Sequence, residues 1–491
     1  MTDATYTPDP RRWRALAVCF TGGFVTMLDV SIVNVALPSI QNALHAGPTQ
    51  LQLIIAGYTL AFGLVLVPFG RLGDARGRRR MFMIALAGFA LMSLLAGLSR
   101  TDTQLALCRL FQGAFAGMSN PQVSGMIQQM FRGRERARAF GFLGAIIGVS
   151  TALGPLIGGL IIGLAGPDAG WRWIFFINVP IIAVMLPLAR RLLPGPPIGT
   201  TSTRLDIVGL ILIGLGTAMF MAPFVTTPNS GFLDNPQRWW WLLPAIVLAP
   251  VTYLWERSYQ QRFGAAVLSP GLLRMPSYVF GAALGAFWFA GFTSLMLVLT
   301  LMLQNGLLYP ALLAGLVQLP YAISSAATAS SAGRLVPRIG RALVVGGIAA
   351  YLVGLIVVII LMRQAPLGAL GWSIAAVLLI MGAGGGWVIS PNQALTFQDV
   401  PPQYGSVAGA VMQVGQRVGT AVGMAVILAI YLSGYAARLP GLGRAEAARQ
   451  AGATALSASG VVIVIALIIG LIDVQRRGAR SPAASVPADM P

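Results

Sequence analysis

The sequence contains no lysine; every one of its 33 basic residues is arginine. That absence excludes a phosphate-binding loop, whose lysine reaches the β- and γ-phosphates of a nucleotide. It also excludes Schiff-base chemistry. Histidine occurs once, as His45, and cysteine twice, as Cys19 and Cys108. No metal-ligand spacing, nucleophile elbow or pair of catalytic acids can be assembled from these residues, so no catalytic residue, metal or other cofactor is expected and the chain does not read as an enzyme. Both cysteines fall in apolar stretches and read as small buried residues rather than a disulfide. Charge of either sign is scarce too. Charged residues make up 10% of the 491, where a soluble domain carries about a quarter.

What is present is apolar. Hydrophobic residues make up 56% of the chain, and mostly apolar stretches of about 18 residues or more recur throughout, each long enough to cross a hydrocarbon core of about 30 Å. Fourteen spans can be read, the first near 15–37 and the last near 452–474. The 59 glycines and 31 prolines suit packed membrane helices. The glycine run Gly382, Gly384, Gly385 and Gly386 lies inside an apolar span and reads as helix packing. The net charge of +19 might suggest nucleic acid, but its placement argues otherwise. With the N-terminus inside, arginines in cytoplasmic loops outnumber those in outer loops by about three to one, which is the positive-inside rule. Only Arg109 and Arg417 fall within spans. Arg11, Arg12 and Arg14 precede the first span, which has no small-residue cleavage site and reads as an uncleaved helix.

The chain repeats itself. After the second span it reads Gly70-Arg71-Leu72-Gly73-Asp74-Ala75-Arg76-Gly77-Arg78, and after the tenth Gly333-Arg334-Leu335-Val336-Pro337-Arg338-Ile339-Gly340-Arg341. Glycine, arginine, leucine, glycine and arginine recur in register, with Pro337 where the first copy has Asp74. A proline also follows a glycine-rich stretch in spans four and twelve, at Pro121 and Pro391. Two six-helix halves, 11–195 and 270–480, imply parallel repeats about an axis along the membrane normal, with substrate held between them. Residues 196–269 read as an inserted pair of helices with linkers.

A proton-coupled carrier needs a titratable group inside the membrane. His45 falls in an outer loop. The carboxylates lie in tails and loops or, like Asp206, Glu256 and Asp473, at span ends, and only Asp29 sits deep within a helix. A carboxylate there costs about 2.5–3.5 kcal/mol on insertion scales, so it is expected to face a cavity or a partner. Depth names the partner. Asp29 lies roughly 22 Å along span one and Arg109 roughly 9 Å below the outer surface in span four, so both occupy the outer half of the core at similar depth. An arginine favours the ionised carboxylate while burial disfavours it, a balance that conformation or substrate can switch. A buried structural ion pair is the alternative. Asn34 offers an amide to substrate or to a neighbouring helix. Span five carries Gly144, Gly148, Gly154, Gly158, Gly159 and Gly163 in pairs four apart, with Pro155 inviting a bend. Trp288 and Trp387 could stack a flat ligand or simply pack.

These residues together resemble those of the major facilitator superfamily, in particular its fourteen-span drug:proton antiporters of the EmrB/QacA type, from about residue 11 to 475. Gly70, Leu72, Asp74, Gly77 and Arg78 resemble the first cytoplasmic-loop signature. Arg109, Gln112, Gly113, Gly117 and Pro121 resemble the fourth-span signature, and Gly148, Gly154, Pro155, Gly158 and Gly159 the antiporter signature. Leu28 to Pro38 resembles the first-span signature of the fourteen-span branch. The resemblance implies an all-α polytopic fold of two six-helix bundles plus two inserted helices, both termini cytoplasmic, as a monomer in a bacterial inner membrane. It also implies export of lipophilic drugs or dyes against protons by alternating access, with Asp29 and Arg109 handling the proton. Gly70, Asp74, Arg76, Gly77 and Arg78 would latch the cytoplasmic side. Span ten carries no acid, where some relatives use one for dications, so monovalent cations or neutral compounds are expected as substrates. Export of an endogenous metabolite, antibiotic or lipid, and a non-transporting membrane sensor, are the alternatives.

Overall fold

The computed structural model describes residues 9–166, 168–195, 206–225, 236–263, 270–401 and 405–478. Among them there is helix and no strand. The helices are α1 (Arg12–Leu44), α2 (Pro48–Arg76), α3 (Arg78–Gly97), α4 (Asp102–Met130), α5 (Gly133–Ala165), α6 (Gly170–Phe176), α7 (Asn178–Leu192), α8 (Ile207–Val225), α9 (Leu242–Phe263), the short α10 (Pro270–Leu273), α11 (Pro276–Leu301), α12 (Ala311–Ile339), α13 (Arg341–Gln364), α14 (Leu367–Thr396), α15 (Gly405–Leu442) and α16 (Arg444–Gly478). Ten helical stretches among the described residues are long and apolar enough to cross a membrane, and Leu156–Ala165 and Ile207–Pro223 are shorter apolar helices. The sixth expected span is two helices, α6 and α7, joined at Ile177. The ninth ends in a π-helical turn, Met302–Gly306.

Local chemistry sets the boundaries. Thr101 caps α4 by accepting from the Gln104 amide at 3.2 Å, and Pro276 opens α11, where its missing N–H costs nothing. The two repeated loops end on Gly77 and Gly340, whose φ angles of 99° and 61° are ones that L side chains rarely adopt. That constraint explains why glycine recurs there while Asp74 and Pro337 differ.

The pairing of helices repeats as the loops do. α1 packs on α5, α2 on α4 and α3 on α4; likewise α11 packs on α15, α12 on α14 and α13 on α14. Across these two sets α5 lies on α12 and α14, and α15 lies on α2 and α4. α8 packs on α9 and also touches α2 and α15. The sets are shut together at the end that carries both repeated loops. There a Cβ on Gly144 would stand 2.7 Å from the Ser390 Cα, and one on Gly409 3.0 Å from the Ser124 Cβ. Phe140 stacks on Phe397 with centroids 5.1 Å apart. The core around Phe82, Met126 and Phe140 continues without interruption into Phe397, Val407 and Met412.

Candidate functional site: a buried ion pair held by four helices

α1 places Asp29, only 2% exposed, inside the first set of helices. Its Oδ2 accepts from Arg109 Nη1 of α4 at 2.5 Å. Its Oδ1 accepts from Gln112 Nε2 at 3.0 Å and from Asn178 Nδ2, at the start of α7, at 3.1 Å. Ser93 of α3 accepts from the same two amides, at 2.6 and 3.1 Å. Arg109 also donates to Gln112 Oε1 at 2.8 Å and to the Ile54 carbonyl at 3.4 Å. Its Cζ lies 4.2 Å from the centroid of the Tyr58 ring. Arg109 and Gln112 are three apart and so project from one side of α4. A single carboxylate thus gathers donors from α4 and α7, with α3 bracing them, and every group in the cluster is buried. Such a network is stable while fully satisfied and costly when one member changes protonation or moves.

The span-four glycines bring α4 against α2. A Cβ on Gly113 would overlap the Tyr58 carbonyl, and one on Gly117 the Phe62 carbonyl. Pro121 is buried within α4. In α5, Gly144 faces α14 as described above, and a Cβ on Gly154 would run into Ser31 of α1. A Cβ on Gly158 would sit 3.3 Å from the Ile32 carbonyl. Gly159 is buried, Gly163 faces open space, and Gly148 and Pro155 lie within the same helix. The stretch read as the first cytoplasmic loop is helical instead: Gly70–Arg76 are the last two turns of α2 and Gly77 alone separates them from α3, with Gly70 buried and Arg76 exposed. Arg78 pairs with Asp74 at 2.8 Å and donates to the Gly125 carbonyl at 2.6 Å, tying the loop to α4.

The remaining candidates fall elsewhere. Asn34 is half-buried on α1 and outside the Asp29 cluster. Trp288 is 1% exposed and packs in the core of the second set, 4.8 Å from Tyr351 and stacked on Phe292. Trp387 is half-buried and donates to Ser331 at 3.3 Å. Sequence reasoning missed Ser93 and Asn178, since a lone neutral polar residue in an apolar run carries no distinguishing pattern. It also placed Asp473 at a span end. Asp473 does stand near the end of that span, which runs to Arg476, but it is buried there and accepts from Arg341 Nε at 2.6 Å while Arg341 also donates to Asn392. The Pro337-for-Asp74 difference was the available signal: the second-copy arginine lost its loop acid and takes one from α16 instead.

A repeated helical bundle with an embedded ion pair defines a membrane transporter, and comparison with known proteins places it. The Major Facilitator Superfamily matches residues 19–424, and the chain belongs to that family, whose members are transporters and not enzymes. It is 33% identical to the puromycin resistance protein pur8 of Streptomyces alboniger, over 95% of this chain and 90% of that one. It is 31% identical to a probable actinorhodin transporter of Streptomyces coelicolor, over 85% of this chain and 72% of that one. Among solved structures it is similar to the proton:xylose symporter XylE, with a TM-score of 0.64 over 94% of this chain and 95% of that one at 14% identity.

Proposed function

We propose that this transporter is a proton-driven exporter of lipophilic drugs or antibiotics, working by alternating access across a bacterial cytoplasmic membrane. The observation that carries the reading is the buried Asp29–Arg109 pair. The Asp29 carboxyl accepts from three donors at once. On protonation it would lose its charge attraction for Arg109, while Gln112 Oε1 and the Tyr58 ring would still hold the guanidinium. The network then has two arrangements that differ by one proton, which is the kind of element a coupled carrier needs.

The architecture we infer is fourteen spans, as six, two and six, with α8 and α9 as the inserted pair and the arginine-rich ends and both termini in the cytoplasm. The structure then corresponds to a state shut on the cytoplasmic side, with Asp74–Arg78 bracing the first half of that closure. The protein works as a monomer with lipid, substrate and protons as its only partners. No acid stands in α12, so dications lie outside the expected range. The likeness to a probable actinorhodin transporter favours an endogenous antibiotic as the natural cargo over an accidental drug.

The test is efflux from proteoliposomes under an imposed pH gradient, with ethidium, puromycin and an anionic dye as cargoes. Uphill movement of at least one cargo that stops when the gradient is collapsed supports the reading. Identical fluxes with and without the gradient across the whole panel refute it.

A further inference from the structure

Arg417 is the embedded charge that the proton site does not use. It lies on α15 about ten residues past the start of the apolar stretch at Val407, which is about 15 Å along a helix and close to the middle of a core of about 30 Å. The other deep arginine, Arg109, holds Asp29, and Arg341, buried at the start of α13, holds Asp473. Arg417 has no carboxylate within reach among the described residues. Its contacts are the Phe62 ring of α2, 4.0 Å from Cζ to centroid, and the Met27 sulfur of α1, 3.3 Å from Nη2. A thioether is a weak acceptor, and a guanidinium has five N–H donors to place. The residue is half-buried, and Nη2 alone of its nitrogens has a hydrogen-bond partner among the described residues.

The position is as informative as the unspent charge. Arg417 comes from the second set of helices and reaches across the seam to residues of the first. Phe62 stacks on Tyr58, with centroids 6.3 Å apart and planes at 28°, and Tyr58 carries Arg109 on its ring. Met27 lies two residues before Asp29. Two arginines therefore flank one aromatic pair, and only one of them is neutralised. Asp29, 2% exposed, is enclosed by Arg109, Gln112 and Asn178, and its charge is already matched by Arg109, so it offers no exposed counter-charge to a cationic substrate in this arrangement. An ionisable group so deep in a membrane marks a substrate or ion pathway by default, and a guanidinium with donors to spare matches a carboxylate or phenolate.

Building on the transporter reading above, we infer that Arg417 recognises the substrate, and that the substrate class is lipophilic anions bearing a carboxylate or phenolate. The acid group takes the guanidinium donors that no carboxylate holds, while the buried Phe62 ring supports the guanidinium from its other side. This replaces the expectation of cationic or neutral cargo. Exit of an anion is moreover favoured by an inside-negative membrane potential.

The test is equilibrium binding to the purified protein, with no gradient, so its outcome is independent of whether transport is proton-driven. Three fluorescent probes share one apolar body: 1-pyrenebutyrate, its methyl ester and a pyrenylbutyl trimethylammonium. Wild type is expected to bind the carboxylate at least about ten-fold more tightly than the ester, as a charge-assisted hydrogen bond warrants. Arg417→Gln is expected to erase that preference while leaving ester affinity within about two-fold, and Arg417→Lys to keep part of it. Equal wild-type affinity for carboxylate and ester overturns the inference even if Arg417→Gln fails to fold. So does a uniform loss of all three probes in a folded Arg417→Gln protein, which would make the residue a packing element.

Discussion

Replacing Asp29 by asparagine changes one oxygen into an NH₂ and removes one charge, and the structure says where each change is felt. Asp29 accepts from three donors, so an asparagine must turn its own NH₂ toward at least one of them. Facing Arg109, it sets donor against donor and leaves a buried cation without its carboxylate. Facing Gln112 and Asn178, it breaks two amide contacts. Removing one partner of a buried ion pair costs about 3–5 kcal/mol. The lower end applies here, because Gln112 Oε1 at 2.8 Å and the Tyr58 ring at 4.2 Å still hold the guanidinium. Thermal unfolding of the detergent-solubilised protein should therefore show a folded but weakened Asp29→Asn variant. Combining it with Arg109→Gln, which removes the orphaned charge, should recover about 1–3 kcal/mol as a coupling energy between neighbours. In proteoliposomes the single variant should lose uphill efflux while still carrying cargo down its own gradient. An Asp29→Asn protein of wild-type stability that continues uphill transport would show the carboxylate neither pairs nor couples, and the argument from the buried network would fall.

The second buried pair should behave alike in stability. Asp473→Asn is expected to cost about 3–5 kcal/mol in an unfolding assay, and Asp473→Leu with Arg341→Met to recover most of it, because a matched apolar pair replaces both charges. Glycine substitutions separate close approach from mere helix composition. Gly113→Ala should lower stability by about 1–3 kcal/mol, since its Cβ meets the Tyr58 backbone, whereas Gly23→Ala, with no atom within 4 Å, should be neutral or slightly stabilising.

What could be read from the sequence follows from which signals are periodic and which are not. The membrane helices and the repeat were visible because apolar runs and a nine-residue loop repeat themselves, and Gly77 and Gly340 recur because a positive φ demands it. Asp29 stood out as a lone acid in an apolar helix. Counting rise per residue then put it level with Arg109, and the two are in contact. Ser93 and Asn178 were invisible, since a small polar residue in a membrane helix is ordinary until a neighbour's carboxylate is known to face it. Asp473 was placed at a span end, and the span does end at Arg476, but a position near a boundary does not say whether a residue is buried: α16 packs along α11 and α13 there and buries it. Trp288 could equally have stacked a ligand or packed, and only the neighbours Phe292, Tyr321 and Tyr351 show that it is part of a closed core.

The repeat in backbone and the lack of repeat in chemistry are the same argument seen from two sides. In the first set Gly113 and Gly117 press α4 onto Tyr58 and Phe62; in the second Gly382 and Gly386 press α14 onto Tyr321 and Ser325 with the same four-residue step. Four residues before Gly113 stands Arg109, and four before Gly382 stands Leu378, fully buried. Where the first set has Gln112, the second has Met381, also fully buried. A charged network at both places would require two sets of partners and two desolvation costs. Keeping the second set apolar there leaves a stiff bundle that can rock as a body against the first. The charge that the second set does retain at this depth, Arg417, is turned outward across the seam, onto the same Tyr58–Phe62 pair that supports Arg109. Any relative motion of the halves must therefore change the surroundings of Arg417, whose contacts Phe62 and Met27 lie across the seam, and in the proposed mechanism this is the route by which cargo would act on the Asp29–Arg109 pair.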